Sequence, residues 1–151
     1  MNAMREPEGY LIYLIKQVEL GVRRPFEELL AAKGISTPTY TALTVLRRWP
    51  GITSSELARR SFVRAQTMAE TVNAMLDSGL LRREKDPAHG RQMLLYITAE
   101  GDRMIDRVRD DVQDLDAVLA SALSEEDRRQ LIHHLRACRD VLLAREGRVR
   151  V

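Results

Sequence analysis

The sequence predicts a mainly α (α+β) fold, and three observations lead there. Apolar residues recur at helical spacing over most of the chain. Only the stretch from Leu80 to Thr98 reads as strand, and it is split by a turn bearing Pro87 and Gly90. Aromatic residues make up 5% of the composition against 44% hydrophobic and 30% charged, a balance that fits a helix-rich globular chain and argues against both disorder and a β-sandwich. A chain of 151 residues is read as one domain, 1–151, large enough to bury a core without disulfides or metal.

In chain order, Leu11, Leu14, Ile15, Val18, Val22, Phe26, Leu29 and Leu30 mark a first helix from about Gly9 to Ala32, closed by Gly34. Pro25 clashes with the carbonyl four residues back and predicts a bend between Gly21 and Pro25. Thr37 as N-cap and Pro38 at the first helical position open a second helix, which stops at Trp49-Pro50-Gly51. Thr53-Ser54-Ser55-Glu56 reads as a capping box for a short third helix, broken at Ser61-Phe62. A fourth helix from about Arg64 to Ser78 ends at Gly79. Its packing face is predicted to be Ala65, Met68, Ala69, Val72, Met75 and Leu76, with Gln66, Thr67, Glu70 and Asn73 pointing away. Strands Leu80–Lys85 and Arg91–Thr98 form a hairpin whose tip is Asp86 to Gly90. Thr98 caps a long helix carrying Met104, Val108, Val112, Leu115, Val118 and Leu119. Ser124 caps a last helix with Leu131, Leu135, Cys138 and Leu142 on one seam, ending near Glu146. Only the two ends of the chain read as loosely ordered.

Several function classes drop out. The longest apolar run, Tyr10 to Ile15, is far short of the ~20 residues that cross a bilayer, and the stretch before it lacks signal-peptide features, which places the chain in the cytoplasm. A lone Cys138 offers neither a disulfide nor a CxxC pair and reads as a buried structural thiol. There is no Gly-rich phosphate loop and no nucleophile elbow, so no enzyme is expected. His133 and His134 are neighbours on a helix, about 100° apart, and cannot chelate one ion together, so no metal site is expected.

Net charge is only +2, but its distribution is uneven. Residues 47–91 carry nine basic and five acidic side chains, whereas residues 1–46 carry five of each. That surplus coincides with a helix, turn, helix and two-stranded hairpin, the order of a winged helix-turn-helix, whose second helix enters the major groove of double-stranded DNA while the hairpin reaches the flanking minor groove. Arg59, Arg60 and Arg64 surround the turn, and Arg82, Arg83, Lys85 and Arg91 lie on the hairpin. Gln66, Thr67, Glu70 and Asn73, with Arg64 and Thr71 at the margins, have the chemistry to read base edges.

The segment ITSSELARRSFVRAQTMAETVNAMLDSGLLRREKDPAHGRQMLLYITAEG, Ile52 to Gly101, resembles the DNA-binding helices and wing of the MarR family of bacterial transcription regulators, including the segment Leu95, Thr98, Gly101 that starts the next helix. The resemblance extends over about residues 9–145. It implies a regulator, expected to be a ligand-responsive repressor, that binds an inverted-repeat operator as an obligate homodimer. Residues 37–101 would be the DNA-binding lobe, and 9–34 and 102–146 the long N- and C-terminal dimerisation helices. The leucine seam of the last helix and the Tyr10 to Ile15 cluster independently favour a dimer, since together they exceed what one small lobe can cover; an intrachain helical bundle is the alternative. The resemblance also makes Arg91 the minor-groove arginine, although the aspartate that the family commonly carries two places earlier is His89 here. A peroxide-sensing branch has a cysteine near the start of the first helix, and this chain has none there. No cofactor is expected. A small aromatic effector would enter the crevice between lobe and dimerisation helices, where Tyr13, Tyr40 and Trp49 are the candidates to stack on it. The competing reading is a winged-helix protein-interaction module without DNA binding.

Overall fold

The computed structural model describes residues 9–149, with side chains described through Gly147. The expected loose ends of the chain lie outside the described residues. Six helices and one hairpin follow the predicted order: α1 Leu11–Ala31, α2 Thr37–Arg48, α3 Ser54–Arg60, α4 Ala65–Asp77, β1 Leu81–Asp86, β2 His89–Ile97, α5 Ala99–Ala120 and α6 Glu125–Val149. The bound expected for the last helix near Glu146 is thus three residues short.

Local chemistry accounts for the boundaries. α1 passes through Pro25 as one unbroken helix. It ends where Gly34, at φ 72°, lets the Ile35 N–H reach the Leu30 carbonyl at 3.0 Å. Gly79, at φ 74°, closes α4 in the same way, with Leu80 N–H on the Met75 carbonyl at 2.9 Å. The cap of α2 is Ser36 rather than Thr37: its hydroxyl accepts from Thr39 N–H, and Thr37 is already helical. Only half of the expected capping box forms at α3. Thr53 accepts from Glu56 N–H, but the Glu56 carboxylate turns to Arg59 and Arg60 instead of reaching back. Between α3 and α4 the chain turns through Phe62 at φ 54°, a left-handed conformation that a non-glycine residue adopts at a cost.

Two clusters hold the fold. Leu43, Leu46, Leu57, Met68 and Met75 pack with Leu80, Leu81, Leu95 and Ile105, joining α2, α3, α4, the hairpin and the start of α5. Leu30, Ile35 and Val108 form the second, with Phe26 and Tyr40 packed against it, and this cluster fastens α1 to α2 and α5. Arg47 adds a polar tie, donating to Asp102 at 2.8 Å and Asp106 at 3.1 Å on α5.

The hairpin differs from the sequence expectation at its tip. Asp86 already pairs with His89, leaving a two-residue turn, Pro87-Ala88, that Asp86 braces by accepting from Ala88 N–H at 2.9 Å. Because Lys85 pairs with Met93 and Asp86 with His89, residues Gly90, Arg91 and Gln92 bulge out of register. Nor is the base of the hairpin two-stranded only: Gly51 N–H donates to the Leu95 carbonyl and Leu95 N–H to the Ile52 carbonyl, both at 2.9 Å.

In contrast, α6 lies largely free of the chain. Leu131, Leu135 and Leu142 stay exposed, as do Leu11 and Ile12 on α1, the latter two at 70% and 79%. No intrachain bundle closes over these seams. Within the single chain Cys138 is likewise exposed, where a buried thiol was expected: its seam meets the chain at Leu131 and Leu135, which share a cavity with Leu119 of α5.

Candidate nucleic-acid interface

The sequence places the polar side of α4 outward because its buried arc is set by Met68, Val72 and Met75. These three are buried, with Leu76 half-buried beside them, while Gln66, Thr67, Glu70 and Asn73 are exposed. Two alanines assigned to the packing face, Ala65 and Ala69, are exposed as well. The buried arc is narrower than the pattern suggested and is centred on the methionines, and a methyl group at its edge does not reach the core. Thr71 is half-buried, its hydroxyl donating to the Thr67 carbonyl at 3.0 Å. That hydroxyl is therefore committed to its own helix.

The wing stands beside this face. Asn73 and Ala69 of α4 and Arg83 and Met93 of the hairpin line one cavity of about 180 Å³. Among the described residues, Arg64, Arg83, Lys85 and Arg91 make no ion pair, and all four are exposed. Arg82 is different: it pairs with Glu84, and its guanidinium lies 4.5 Å from the centre of the Tyr96 ring. Arg91 sits in the bulge at the tip and has no bracing carboxylate among the described residues, in keeping with the change to His89. Cations without an ion pair among the described residues, on the same lobe as an exposed row of amide, hydroxyl and carboxyl groups, suit a polyanion whose base edges are to be read.

On the opposite flank of the first core cluster, Arg59 and Arg60 have other partners. Arg59 forks onto Glu56, Nε to Oε2 at 2.9 Å and Nη2 to Oε1 at 2.7 Å, and its Nη1 donates to the Leu143 carbonyl of α6 at 3.0 Å. Arg60 lies 2.8 Å from the same carboxylate, and its guanidinium covers the Trp49 ring at 4.4 Å. The hydrogen bonds from Arg59, aided by the charge of Arg60, hold the Glu56 carboxyl below its ordinary range and raise that of Arg59. Glu56 is thus the hub of a cluster joining α3 to α6. The signal was present in the sequence as a carboxylate three and four residues before two arginines, which is ion-pair spacing on a helix.

The candidate effector residues are not brought together. Tyr13 lies on the open face of α1. Tyr40 packs edge-on against Phe26, ring centres 5.4 Å apart, in the second core cluster. Trp49 faces a separate cavity beside α6. Among the described residues no group of three or more His, Cys, Asp or Glu side chains could hold a metal, and no helix is long and apolar enough to cross a membrane.

Comparison with known proteins agrees with this fold. A family model described as the MarR family matches residues 33–92, from the loop after α1 to the wing. The HTH-type transcriptional repressor Rv2887 of Mycobacterium tuberculosis is 29% identical over 124 residues, covering 82% of this chain and 87% of its own. A crystal structure of that protein with salicylic acid superposes with a TM-score of 0.69 at 27% identity, covering 85% of this chain and 96% of that one. A MarR-family regulator from Silicibacter pomeroyi gives a TM-score of 0.79 at 23% identity over 90% of this chain and 92% of that chain. A mutant MarR from E. coli in complex with operator DNA gives 0.71 at 22%, over 91% and 97%. The last two identities speak for the fold alone.

Proposed function

Because the chain belongs to the MarR family of winged helix-turn-helix DNA-binding transcription regulators, we propose that it is a homodimeric repressor that reads an inverted-repeat operator through α4 and releases it on binding a small aromatic ligand. The carrying observation is the exposed face of α4, with Gln66, Thr67, Glu70 and Asn73 outward beside the unpaired cations of the wing. In this reading residues 37–101 form the DNA-binding lobe. Gln66 and Asn73 are suited to adenine edges and Thr67 to a thymine methyl, while Glu70 accepts from cytosine or orients Arg64. Arg64, Arg83 and Lys85 neutralise backbone phosphates, with Thr71 supporting the backbone at Thr67, and Arg91 enters the minor groove from the bulged tip.

Residues 9–34 and 102–146 supply the dimer interface. Support comes from the apolar seams of α1 and α6, which stay exposed in the single chain and would favour aggregation unless a second copy covered them. A two-fold dimer imposes a two-fold operator with half-sites about one helical turn apart. The ligand response is supported by the salicylic acid complex of the M. tuberculosis relative.

Footprinting on the DNA flanking the chain's own gene tests the reading. A symmetric footprint at two copies per site is expected, with Gln66→Ala eroding preference for operator over random DNA by about 1–3 kcal/mol while leaving the salt slope unchanged. A monomer protecting a single half-site would refute the dimer, and absence of any DNA binding at low salt would leave a protein-contact module.

A further inference from the structure

We propose that the cavity between the end of α2, α3 and the second half of α6 is a binding site for a small dianion of the phosphate monoester class carrying an apolar body. The cavity has a volume of about 500 Å³, the size of an ordinary small-molecule site, and its wall carries Arg48, Arg60, Arg136 and Arg139 with no carboxylate among them. Two of these are already matched, Arg60 by Glu56 at 2.8 Å and Arg139 by Asp140 at 3.0 Å. Arg48 and Arg136 make no ion pair among the described residues, which leaves two positive charges for one ligand. A phosphate monoester carries between one and a half and two negative charges near neutral pH and offers three acceptor oxygens, the match for guanidinium edges.

The chemistry of the wall selects against a flat ring laid on Trp49. The Arg60 guanidinium already lies 4.4 Å from the centre of that ring and the Arg48 guanidinium 5.6 Å. Guanidiniums stacked on an indole keep their N–H edges for an oxyanion, and the stacking holds them in place before the ligand arrives. Val45 and Leu143 supply the apolar part of the wall, so an organic body gains contacts that inorganic phosphate lacks.

Two neighbouring functions do not compete for the site. The base-reading side of the lobe lies at the other end of α2: Thr37 and Thr41 near its start share a cavity with Thr67 and Thr71 of α4, whereas Arg48 and Trp49 follow a helix length of roughly 16 Å. On α6, Arg136 and Leu143 are turned about 100–120° and Arg139 about 60° from the centre of the seam of Leu131, Leu135 and Leu142, so the cavity faces away from the middle of that seam.

Calorimetric titration of the full chain at fixed ionic strength tests the proposal with phenyl phosphate, with phenyl sulfate as its isosteric monoanion, and with inorganic phosphate. Saturable binding of phenyl phosphate is expected, at least ten-fold tighter than either comparison ligand. Arg48→Gln with Arg136→Gln, two exposed positions, should weaken it a further ten-fold or more while the unfolding midpoint and operator binding stay as in the parent; Arg136→Gln alone serves if the pair unfolds. No saturable binding at millimolar phenyl phosphate would overturn the proposal, as would equal affinity for phenyl sulfate, equal affinity in the variants, or a matching loss of operator affinity, which would make these arginines DNA contacts. Equal affinity for inorganic phosphate would overturn the apolar body. The titration itself uses no DNA, so ligand binding by the parent stands or fails apart from the operator reading, and operator affinity enters only as the control on the variants.

Discussion

Gly101, in the first turn of α5, is where the structure makes its sharpest demand on a single residue. A Cβ placed there would stand 2.5 Å from the Leu80 carbonyl oxygen and 2.7 Å from Ile97 Cγ1. The carbonyl cannot step aside, because Thr98 pins this junction: its N–H donates to the Leu80 carbonyl at 3.0 Å, and its hydroxyl donates to the Gly79 carbonyl at 2.7 Å while capping Gly101 N–H at 3.2 Å. Gly101→Ala must therefore push the start of α5 away from the end of α4. Two hydrogen bonds weaken, at about 1 kcal/mol each, and overpacking adds about 1–3 kcal/mol. Helix propensity returns about 1 kcal/mol. The net destabilisation is about 2–4 kcal/mol, or a fall of roughly 4–16 °C in the midpoint for a chain of this length. Gly21→Ala is the control, since nothing lies within 4 Å of a Cβ there, and it should raise the midpoint through propensity alone. Thermal unfolding by circular dichroism at matched protein concentration reads both. A Gly101→Ala midpoint equal to or above the parent's, with Gly21→Ala behaving as stated, would refute the argument that this close approach fixes the glycine.

Glu56→Gln should cost about 1–2 kcal/mol at pH 7, because two guanidiniums lose a shared partner. The folded state holds this carboxyl below its ordinary value of 4.5, so its stabilisation is present above that value and lost as pH falls through the lowered one. Urea midpoints of parent and variant should accordingly draw together as pH falls below 4.5. At Phe62, φ 54° makes glycine the less strained residue, so Phe62→Gly should be more stable than Phe62→Ala by about 1 kcal/mol in chemical denaturation. Arg59→Ala separates two roles. If Arg59 ties α3 to the Leu143 carbonyl, amide exchange in the last turns of α6 accelerates and the salt dependence of operator binding is unchanged; a slope reduced by about one would make Arg59 a phosphate contact.

Helices were legible because their signals are local: caps, stop glycines and a 3.6-residue period do not wait for tertiary contacts. The order of elements, and the outward side chains of α4, followed from that period. What failed were assignments in which two local options compete. Ser36 and Thr37 can both cap α2, and the winner depends on where Ile35 is anchored in the core. Glu56 can return to its own cap or reach Arg59 and Arg60, and the bidentate pair with Arg59, beside the charge of Arg60, prevails. The wing tip closes earlier than its turn formers suggested because Asp86 braces Ala88 N–H, and the surplus residues are displaced into the bulge that carries Arg91. Cys138 shows a further boundary. An apolar seam read from sequence says that a surface will be covered, but not by which chain, and within one chain this seam is open at Cys138.

The same distinction separates the two long helices at the end of the chain. α5 is built into the lobe: Ile105 enters the first core cluster, Val108 the second, and Arg47 binds Asp102 and Asp106 across the junction. Displacing it would expose buried apolar surface at about 25 cal/mol per Å², so lobe and α5 move as one body. α6 buries none of its side chains as fully and meets the lobe at α3, chiefly through the Arg59 bond to the Leu143 carbonyl. One hydrogen bond to a charged donor is worth only about 1.5–3 kcal/mol, within reach of a ligand's differential affinity. The joint between α3 and α6 is therefore the compliant one, and α3 packs directly on α4. The cavity wall formed by Arg60 and Leu143 thus spans the compliant joint, whereas a change at α5 must carry the whole lobe with it.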